Sequence, residues 1–159
     1  MNTEKKINAI MRYIVAENME EKNEALYEIK KIMQGGETKE KNANVDEIIE
    51  TILTEMGMPC SLLGYNYTVC AIKLVIENTD IINSIVYGIY PNVAKKYGTT
   101  GVRVERAIRH TIERTWDNAD IDIIEKYFGN TISPNKGKPT NGEFIARVAN
   151  IVRRRTQNG

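Results

Sequence analysis

The chain has 159 residues, of which 42% are hydrophobic and 27% are charged, so we expect one domain with a buried core and a small appendage. The net charge of +1 conceals an asymmetry, because residues 1–58 carry 8 Lys/Arg and 12 Asp/Glu whereas residues 59–159 carry 14 and 9. A basic rear half is typical of a surface that meets a polyanion. No apolar run reaches membrane-spanning length and no signal peptide is present, which predicts a cytoplasmic protein without membrane contact.

The sequence offers little catalytic or metal-binding chemistry. Cys60 and Cys70 lie ten residues apart, and His110 is the single histidine, so a zinc site is not expected. Nucleophile-elbow, phosphate-loop and metal-ligand motifs are missing from the sequence. We therefore predict no enzymatic activity, no catalytic residue, no metal and no cofactor.

The front of the chain, residues 3–34, has helical periodicity. Apolar residues recur at helical spacing in two groups, which are Ile7, Ile10, Met11, Ile14 and Val15, and then Leu26, Ile29, Ile32 and Met33. A turn within residues 18–23 would give a hairpin, and its absence would give one long helix. This appendage (residues 1–34) could form a homodimer, bind a partner helix or pack on the rest of the chain. Residues 35–44 contain two glycines and four charges, which predicts a linker.

Three helices are predicted next, over residues 45–56, 64–78 and 81–90. Gly57 and Pro59 end the first of them, and Thr79-Asp80 is expected to cap the third. The third stretch is apolar nearly all round, which predicts a central, buried helix.

The residues from Pro91 to Thr115 read as a short helix, a tight turn and a longer helix. Pro91 suits a first helical turn, Gly98 suits a left-handed C-terminal position, and Thr99 or Thr100 can cap the second helix. On a wheel of 100° per residue, the second helix has an apolar side and a cationic side. The apolar side holds Val104, Ala107, Ile108, Thr111, Ile112 and Thr115, and the other side holds Val102, Arg103, Arg106, Arg109, His110 and Glu113. A helix, a glycine turn and a cationic second helix indicate a helix-turn-helix.

The rest of the chain is predicted to be helical as well. Asp120 can cap a short helix over residues 120–127, and residues 129–138 form a loop. Thr140 and Glu143 have the spacing of a capping box that opens a last helix. The predicted architecture is all-α, a helix-turn-helix DNA-binding bundle of about six helices over residues 45–155 with the N-terminal helical appendage.

The wider stretch resembles the DNA-binding half of the stage zero sporulation response regulator of endospore-forming bacteria. The resemblance is carried by the run Ile89-Tyr-Pro-Asn-Val-Ala-Lys-Lys-Tyr-Gly-Thr-Thr-Gly-Val-Arg-Val-Glu-Arg-Ala-Ile-Arg-His110. Further pieces agree in order, namely Glu55-Met-Gly-Met-Pro59, Gly64-Tyr65, Asn118-Ala-Asp-Ile-Asp122, Phe128-Gly129 and Lys136-Gly-Lys-Pro-Thr-Asn-Gly-Glu-Phe-Ile-Ala146. The family carries a phosphate-accepting receiver upstream, for which this chain is not expected to have room. It also tends to have a small polar residue in place of Val102.

The sequence and the resemblance together predict a DNA-binding surface. Arg103, Arg106 and Arg109 are candidates for base edges or phosphates, and Glu105 for orienting an arginine or accepting from cytosine. Val102 can meet a thymine methyl. Phosphate or backbone contacts are expected from His110, Arg114, Lys95, Lys96, Lys136 and Lys138. The resemblance associates residues 119–132 with contact to RNA polymerase.

We therefore predict a sequence-specific, double-stranded-DNA-binding transcriptional regulator that acts without a receiver domain. The alternative is a protein-interaction module or antagonist that binds a partner through residues 1–34 and does not read DNA. Salt-dependent binding to duplex DNA distinguishes the first hypothesis from the second.

Overall fold

The computed structural model describes residues 3–131 and 137–158 and confirms the all-α prediction, because the described residues contain helices and no strand. Within these described ranges, seven α-helices follow one another: α1 (Thr3–Val15), α2 (Met19–Glu55), α3 (Leu63–Glu77), α4 (Tyr90–Tyr97), α5 (Gly101–Asn118), α6 (Ile121–Phe128) and α7 (Asn141–Gln157). The chain divides into two compact units, Met1–Val45 and Asp46–Gly159. None of the described helices combines the length and the apolar character that crossing a membrane would require.

The first unit is a helical hairpin. Its turn ends at Asn18, whose side-chain oxygen accepts a hydrogen bond from the Glu21 backbone N–H at 2.9 Å. The Glu21 carboxylate in turn accepts a hydrogen bond from the backbone N–H of Glu17 at 3.1 Å. The side chains of Asn18 and Glu21 therefore satisfy backbone N–H groups on both sides of the turn. An ion pair of 3.1 Å between Arg12 Nη1 and Glu28 Oε2 joins α1 to α2. Of the two arrangements open from the sequence, the structure has the hairpin.

The linker predicted over residues 35–44 has helical backbone instead, because α2 runs from Met19 to Glu55. The separate helix predicted over residues 45–56 is accordingly the end of α2. No proline interrupts the stretch, and each of its two glycines costs a helix only about 1 kcal/mol. The prediction of a linker from composition is therefore wrong, because the helix continues through these residues. The division into an appendage, a linker and a DNA-binding domain stays a prediction.

The second unit is a bundle in which α3 packs against α5 and α7, and α4 packs against α5. Its core contains the largest fully buried side chains, which are Ile49, Ile52, Leu53, Met56, Ile72, Ile89, Ile108, Ile112, Tyr127, Phe128, Phe144 and Ile145. Glu55 joins the end of α2 to α6, because its carboxylate accepts hydrogen bonds from Lys126 Nζ at 2.6 Å and from the Tyr127 hydroxyl. These two bonds hold the pKa of Glu55 below its usual value.

The central helix predicted over residues 81–90 is wrong. A 3₁₀ segment, Thr79–Ser84, and a π-helical turn, Ile85–Ile89, stand there, and the side chain of Asn78 rather than Thr79-Asp80 provides the cap. Tyr87 is 88% exposed, so the stretch lies at the surface. An apolar run without clear periodicity does not say which side is buried, and in residues 81–90 only the last two, Ile89 and Tyr90, are buried.

The crossing of α3 and α5 is unusually close at Gly64. A Cβ on Gly64 would lie 2.1 Å from the carbonyl oxygen of Ala107 and 2.2 Å from the hydroxyl oxygen of Thr111. Both atoms are fixed, since one is backbone and Thr111 donates its hydroxyl to the Ala107 carbonyl at 2.9 Å. Only a glycine lets α5 approach α3 at this distance.

We expect Gly64→Ala to destabilise the protein by about 1–3 kcal/mol or more, because the added methyl must push two helix backbones apart. Thermal unfolding followed by circular dichroism measures the change. Gly142→Ala is the matched control, since its Cβ would lie 3.7 Å from Ile85 Cδ1, an ordinary contact. Equal melting temperatures for the two variants would contradict the close crossing.

Candidate nucleic-acid interface

The turn between α4 and α5 is built from local chemistry that the sequence predicted. Gly98 adopts the left-handed conformation at φ 63° and ψ 41°, where a side chain would be strained. The Ala94 carbonyl accepts the backbone N–H groups of Gly98 and, at 3.0 Å, of Thr99. Thr100 then caps α5, because its hydroxyl accepts from the Arg103 backbone N–H at 3.4 Å. The three elements form a helix-turn-helix in which α5 is the second helix.

The two sides of α5 differ as the wheel predicted. Val104, Ile108, Thr111, Ile112 and Thr115 are buried, and Ala107 is half-buried. The exposed residues up to Thr115 are Val102, Arg103, Arg106, Arg109, His110, Glu113 and Arg114. The arginines therefore project away from the bundle, where a nucleic acid can reach them.

The arginines of the exposed side are not equivalent. Arg109 is paired with the Glu105 carboxylate one turn earlier in α5, so the structure brings these two predicted residues together. Among the described residues, the side chains of Arg103 and Arg106 have no hydrogen-bond or ion-pair partner. These two guanidinium groups keep all their donors available for an external ligand.

The predicted lysines fall into three groups. Lys95 and Lys96 are exposed in the last turn of α4, beside the start of α5. Lys138 forms an ion pair of 2.5 Å with Asp117, which holds the loop before α7 against the C-terminal part of α5. The prediction for Lys136 lies outside the described residues.

A groove of about 530 Å³ runs beside the polar side of α5. It is lined by Glu105 and Arg109 of α5 and by Lys138, Pro139, Thr140 and Asn141 at the start of α7. The floor contains a buried amide, because Asn141 Nδ2 donates to the Tyr90 hydroxyl at 3.0 Å and to the Glu105 carbonyl at 3.1 Å. Burial raises the pKa of the Tyr90 hydroxyl, and the hydrogen bond from Asn141 acts in the opposite direction.

Asn141 is the positioning residue that sequence reasoning missed. It follows the Thr140 cap, whose predicted capping box with Glu143 is confirmed. Its partners lie 51 and 36 residues earlier in the chain, so no local pattern could have revealed the contact. At the other end of α5, Trp116 donates its indole N–H to the Gly137 carbonyl at 2.6 Å and meets the Phe128 ring edge-on at 5.1 Å. Both ends of α5 are thus tied to the rest of the unit.

The region predicted to contact RNA polymerase, residues 119–132, forms α6 and a short 3₁₀ segment, Gly129–Thr131, as far as it is described. Asp120 caps this helix by accepting from the Asp122 backbone N–H at 2.8 Å. Tyr127 and Phe128 are buried, whereas Ile121 is 77% exposed. The contact with RNA polymerase stays a prediction.

A helix-turn-helix with a cationic, outward-facing second helix defines this unit as a DNA-binding domain of the bacterial transcription-factor type. A family model described as "Sporulation initiation factor Spo0A C terminal" matches residues 49–152. The chain belongs to this family, which consists of DNA-binding effector domains rather than enzymes. The matched residues include α3 to α6 entirely and most of α7.

We expect Asn141→Ala to lower the stability of the domain by about 1–3 kcal/mol, because two oxygens in the interior lose their donor. Asn118→Ala is the matched control, since Asn118 is exposed at the end of α5 and donates to the Arg114 carbonyl within its own helix. It should change stability by less than about 0.5 kcal/mol. Chemical denaturation of both variants makes the comparison, and equal losses would show that Asn141 does not hold α5 in place.

Proposed function

We propose that the chain is a sequence-specific transcriptional regulator that inserts α5 into the major groove of duplex DNA. The observation that carries the proposal is the exposed side of α5, where three arginines project from seven consecutive residues, 103–109. Family membership supports DNA binding as the class of activity. Specific readout of a base sequence is the finer claim that we add.

The chemistry of base reading suits Arg103 and Arg106. A guanidinium group donates two parallel hydrogen bonds to the O6 and N7 atoms of guanine, which distinguishes this base from the other three. These two side chains are exposed and have no partner among the described residues, so no internal bond must break when they bind. We assign them to base edges, with phosphate oxygens as the alternative contact.

Glu105 and Arg109 act as a pair in this proposal. The carboxylate limits the orientations of the Arg109 guanidinium while leaving several of its donors available. The same carboxylate can accept a hydrogen bond from the amino group of cytosine. We therefore expect Glu105 to affect the preferred DNA site even where Arg109 supplies the contact.

We assign the sequence-independent affinity for DNA to basic residues that flank the three arginines of α5. Lys95 and Lys96 on α4, with His110 and Arg114 on α5, are exposed and suit phosphate contacts. Lys138 can add another contact from the groove beside α5, where it is held by Asp117. Each phosphate neutralised by such a group should make log K fall by roughly 0.9 per unit of log salt concentration. These phosphate contacts would then supply most of the binding free energy, and the arginines of α5 would fix the position of the protein along the base sequence.

We further propose that α6 supplies a surface for RNA polymerase. The specific observation is Ile121, a large apolar side chain that is 77% exposed beside exposed Asp122. A single exposed apolar residue is common on protein surfaces, so the family resemblance carries this proposal and Ile121 is the residue with which to test it. Loss of transcription activation with DNA binding retained, in Ile121→Ser, would support this role.

Arg106→Ala and Arg109→Ala should each weaken a selected DNA site by about 1–3 kcal/mol if the arginines read guanine. Binding to an unrelated duplex should change far less, because the phosphate contacts remain. Sites would first be selected from a random duplex library and then titrated by fluorescence anisotropy.

Arg154→Ala is the matched control for these two variants. Arg154 is an exposed arginine in the last turn of α7, so its removal changes the net charge equally. It should leave specific affinity nearly unchanged. Equal weakening by all three substitutions would mean that only the total charge matters, and undiminished binding by the α5 variants would refute the role of α5.

Val102 should shift the preferred base at one position toward thymine. It is 60% exposed on the cationic side of α5, and the thymine methyl is the apolar group that the major groove offers. Val102→Ser should change this preference by about 1 kcal/mol or less, because a single methyl contact is small. Site selection on both proteins measures it. Identical preferences would show that Val102 does not touch bases, and a large drop in melting temperature would contradict its exposure.

A further inference from the structure

The hairpin of the first unit has an apolar row that its own fold does not bury. Five side chains of α1 recur at spacings of three and four residues, so they form one stripe along the helix. The row consists of Ile7 (54% exposed), Ile10 (48%), Met11 (52%), Ile14 (66%) and Val15 (66%). A helix stripe of this kind in a stable protein is normally covered.

The two helices of the hairpin meet on the opposite side of α1. Ala9 of α1 and Ala25 of α2 are almost completely buried, at 4% and 5% exposure. Ala9 lies about 160° around the helix from Met11, which belongs to the row. The Arg12–Glu28 ion pair adds a polar contact between the helices away from the row. The hairpin therefore closes with small and charged groups of α1 and turns the large aliphatic groups of that helix outward.

The exposed row has more than half of the area that one side of a standard interface buries. At the exposures given above, the five side chains present on the order of 500 Å² of apolar surface, against roughly 800 Å² per partner in a standard interface. Leu26 and Met33 of α2 are exposed as well, at 38% and 55%. Monomeric proteins seldom leave more than a few hundred Å² of contiguous apolar surface uncovered.

We propose that a second copy of this chain covers the row, so that α1 of one chain packs against α1 of the other around a two-fold axis. A two-fold contact places the same patch on both sides and therefore requires a patch that suits itself. The row meets this condition because it contains five aliphatic or thioether side chains and no charged one. An apolar helix stripe with this spacing packs well against its own copy.

The charges around the row also favour a second copy over a lipid surface or a nucleic acid. The first unit as a whole has no net charge, because residues 1–45 carry eight basic and eight acidic residues. An anionic membrane or a phosphate backbone therefore exerts no net attraction on the hairpin, whereas a contact between two apolar rows requires none.

The dimer goes beyond the proposed DNA binding and does not rest on it, since the row lies outside residues 49–152 that the family model matches. It should form in the absence of DNA. Joined pairs of helix-turn-helix units bind paired half-sites, so the dimer would couple two sites on one duplex.

Sedimentation equilibrium of the full chain without DNA tests the proposal, with the wild type expected to dimerise in the micromolar range. Ile14→Asp should raise the dimer dissociation constant by roughly 100-fold or more, because a carboxylate would enter an apolar contact. Tyr13→Asp is the matched control. It places the same charge one residue away, at a neighbouring exposed position outside the row, and should leave the dimer nearly intact.

Helix content measured by circular dichroism accompanies each variant. If Ile14→Asp loses helix content, Ile14→Ala tests the dimer contact in its place, because alanine removes apolar area and favours the helix. It should weaken the dimer about tenfold. A wild type that stays monomeric, or row variants that retain helix and dimerise like the wild type, would overturn the proposal. Binding of the monomer to phosphatidylglycerol vesicles would assign the row to a membrane surface instead.

Discussion

The position of α5 depends on one close approach, that of Gly64 in α3 to the backbone of α5. The carbonyl of Ala107 and the hydroxyl of Thr111 occupy the space where any other residue would carry its Cβ. With the helices this near, Val104, Ile108 and Ile112 can all reach the core. A helix that is docked on one side has its opposite side fixed by the 3.6-residue period. The direction of the arginines is therefore set by a glycine roughly forty residues earlier in the chain.

Close packing alone would still allow α5 to slide along its axis. Hydrogen bonds near both ends restrict that motion, because Asn141 holds the Glu105 carbonyl and Trp116 holds the Gly137 carbonyl. Asn141 reaches Tyr90 as well, so one amide connects the starts of α4 and α7 to α5. Buried polar groups with all partners in place specify one arrangement, whereas apolar packing tolerates several. The base reading that we propose requires that precision, since a displacement of about 1 Å removes a hydrogen bond.

The parts of this fold that the sequence predicted are those set by neighbouring residues. The left-handed Gly98, the Thr100 cap, the capping box at Thr140 and the buried side of α5 each depend on residues within one or two helical turns. The contacts of Gly64 and Asn141 join residues far apart in sequence, so a single sequence carries no local sign of them. The prediction for residues 79–89 was wrong for a different reason. Its apolar residues lacked a period, and burial was inferred from composition although Tyr87 is almost fully exposed.

The helical backbone over residues 35–44 shows the limit of composition as a guide to linkers. Two glycines lower helix propensity by about 2 kcal/mol in total, but a segment between two strongly helical stretches requires no new nucleation. Extending an existing helix adds a hydrogen bond for each residue fixed, so the glycines weaken the segment without ending the helix. Proline ends helices more strongly because it removes a donor and clashes with the preceding turn.

The pairing of Arg109 with Glu105 bears on how the proposed reading could be selective. An exposed ion pair between residues four apart in a helix contributes only about 0.3–0.5 kcal/mol, so DNA can replace it at low cost. The pair nevertheless restricts the Arg109 side chain before binding, which reduces the entropy lost when a base is contacted. At a site without a suitable base, the carboxylate would lie near the negatively charged duplex with no donor to satisfy it. Under this proposal, Glu105 favours the correct site through Arg109 and disfavours wrong sites through its own charge, which are the two components of specificity.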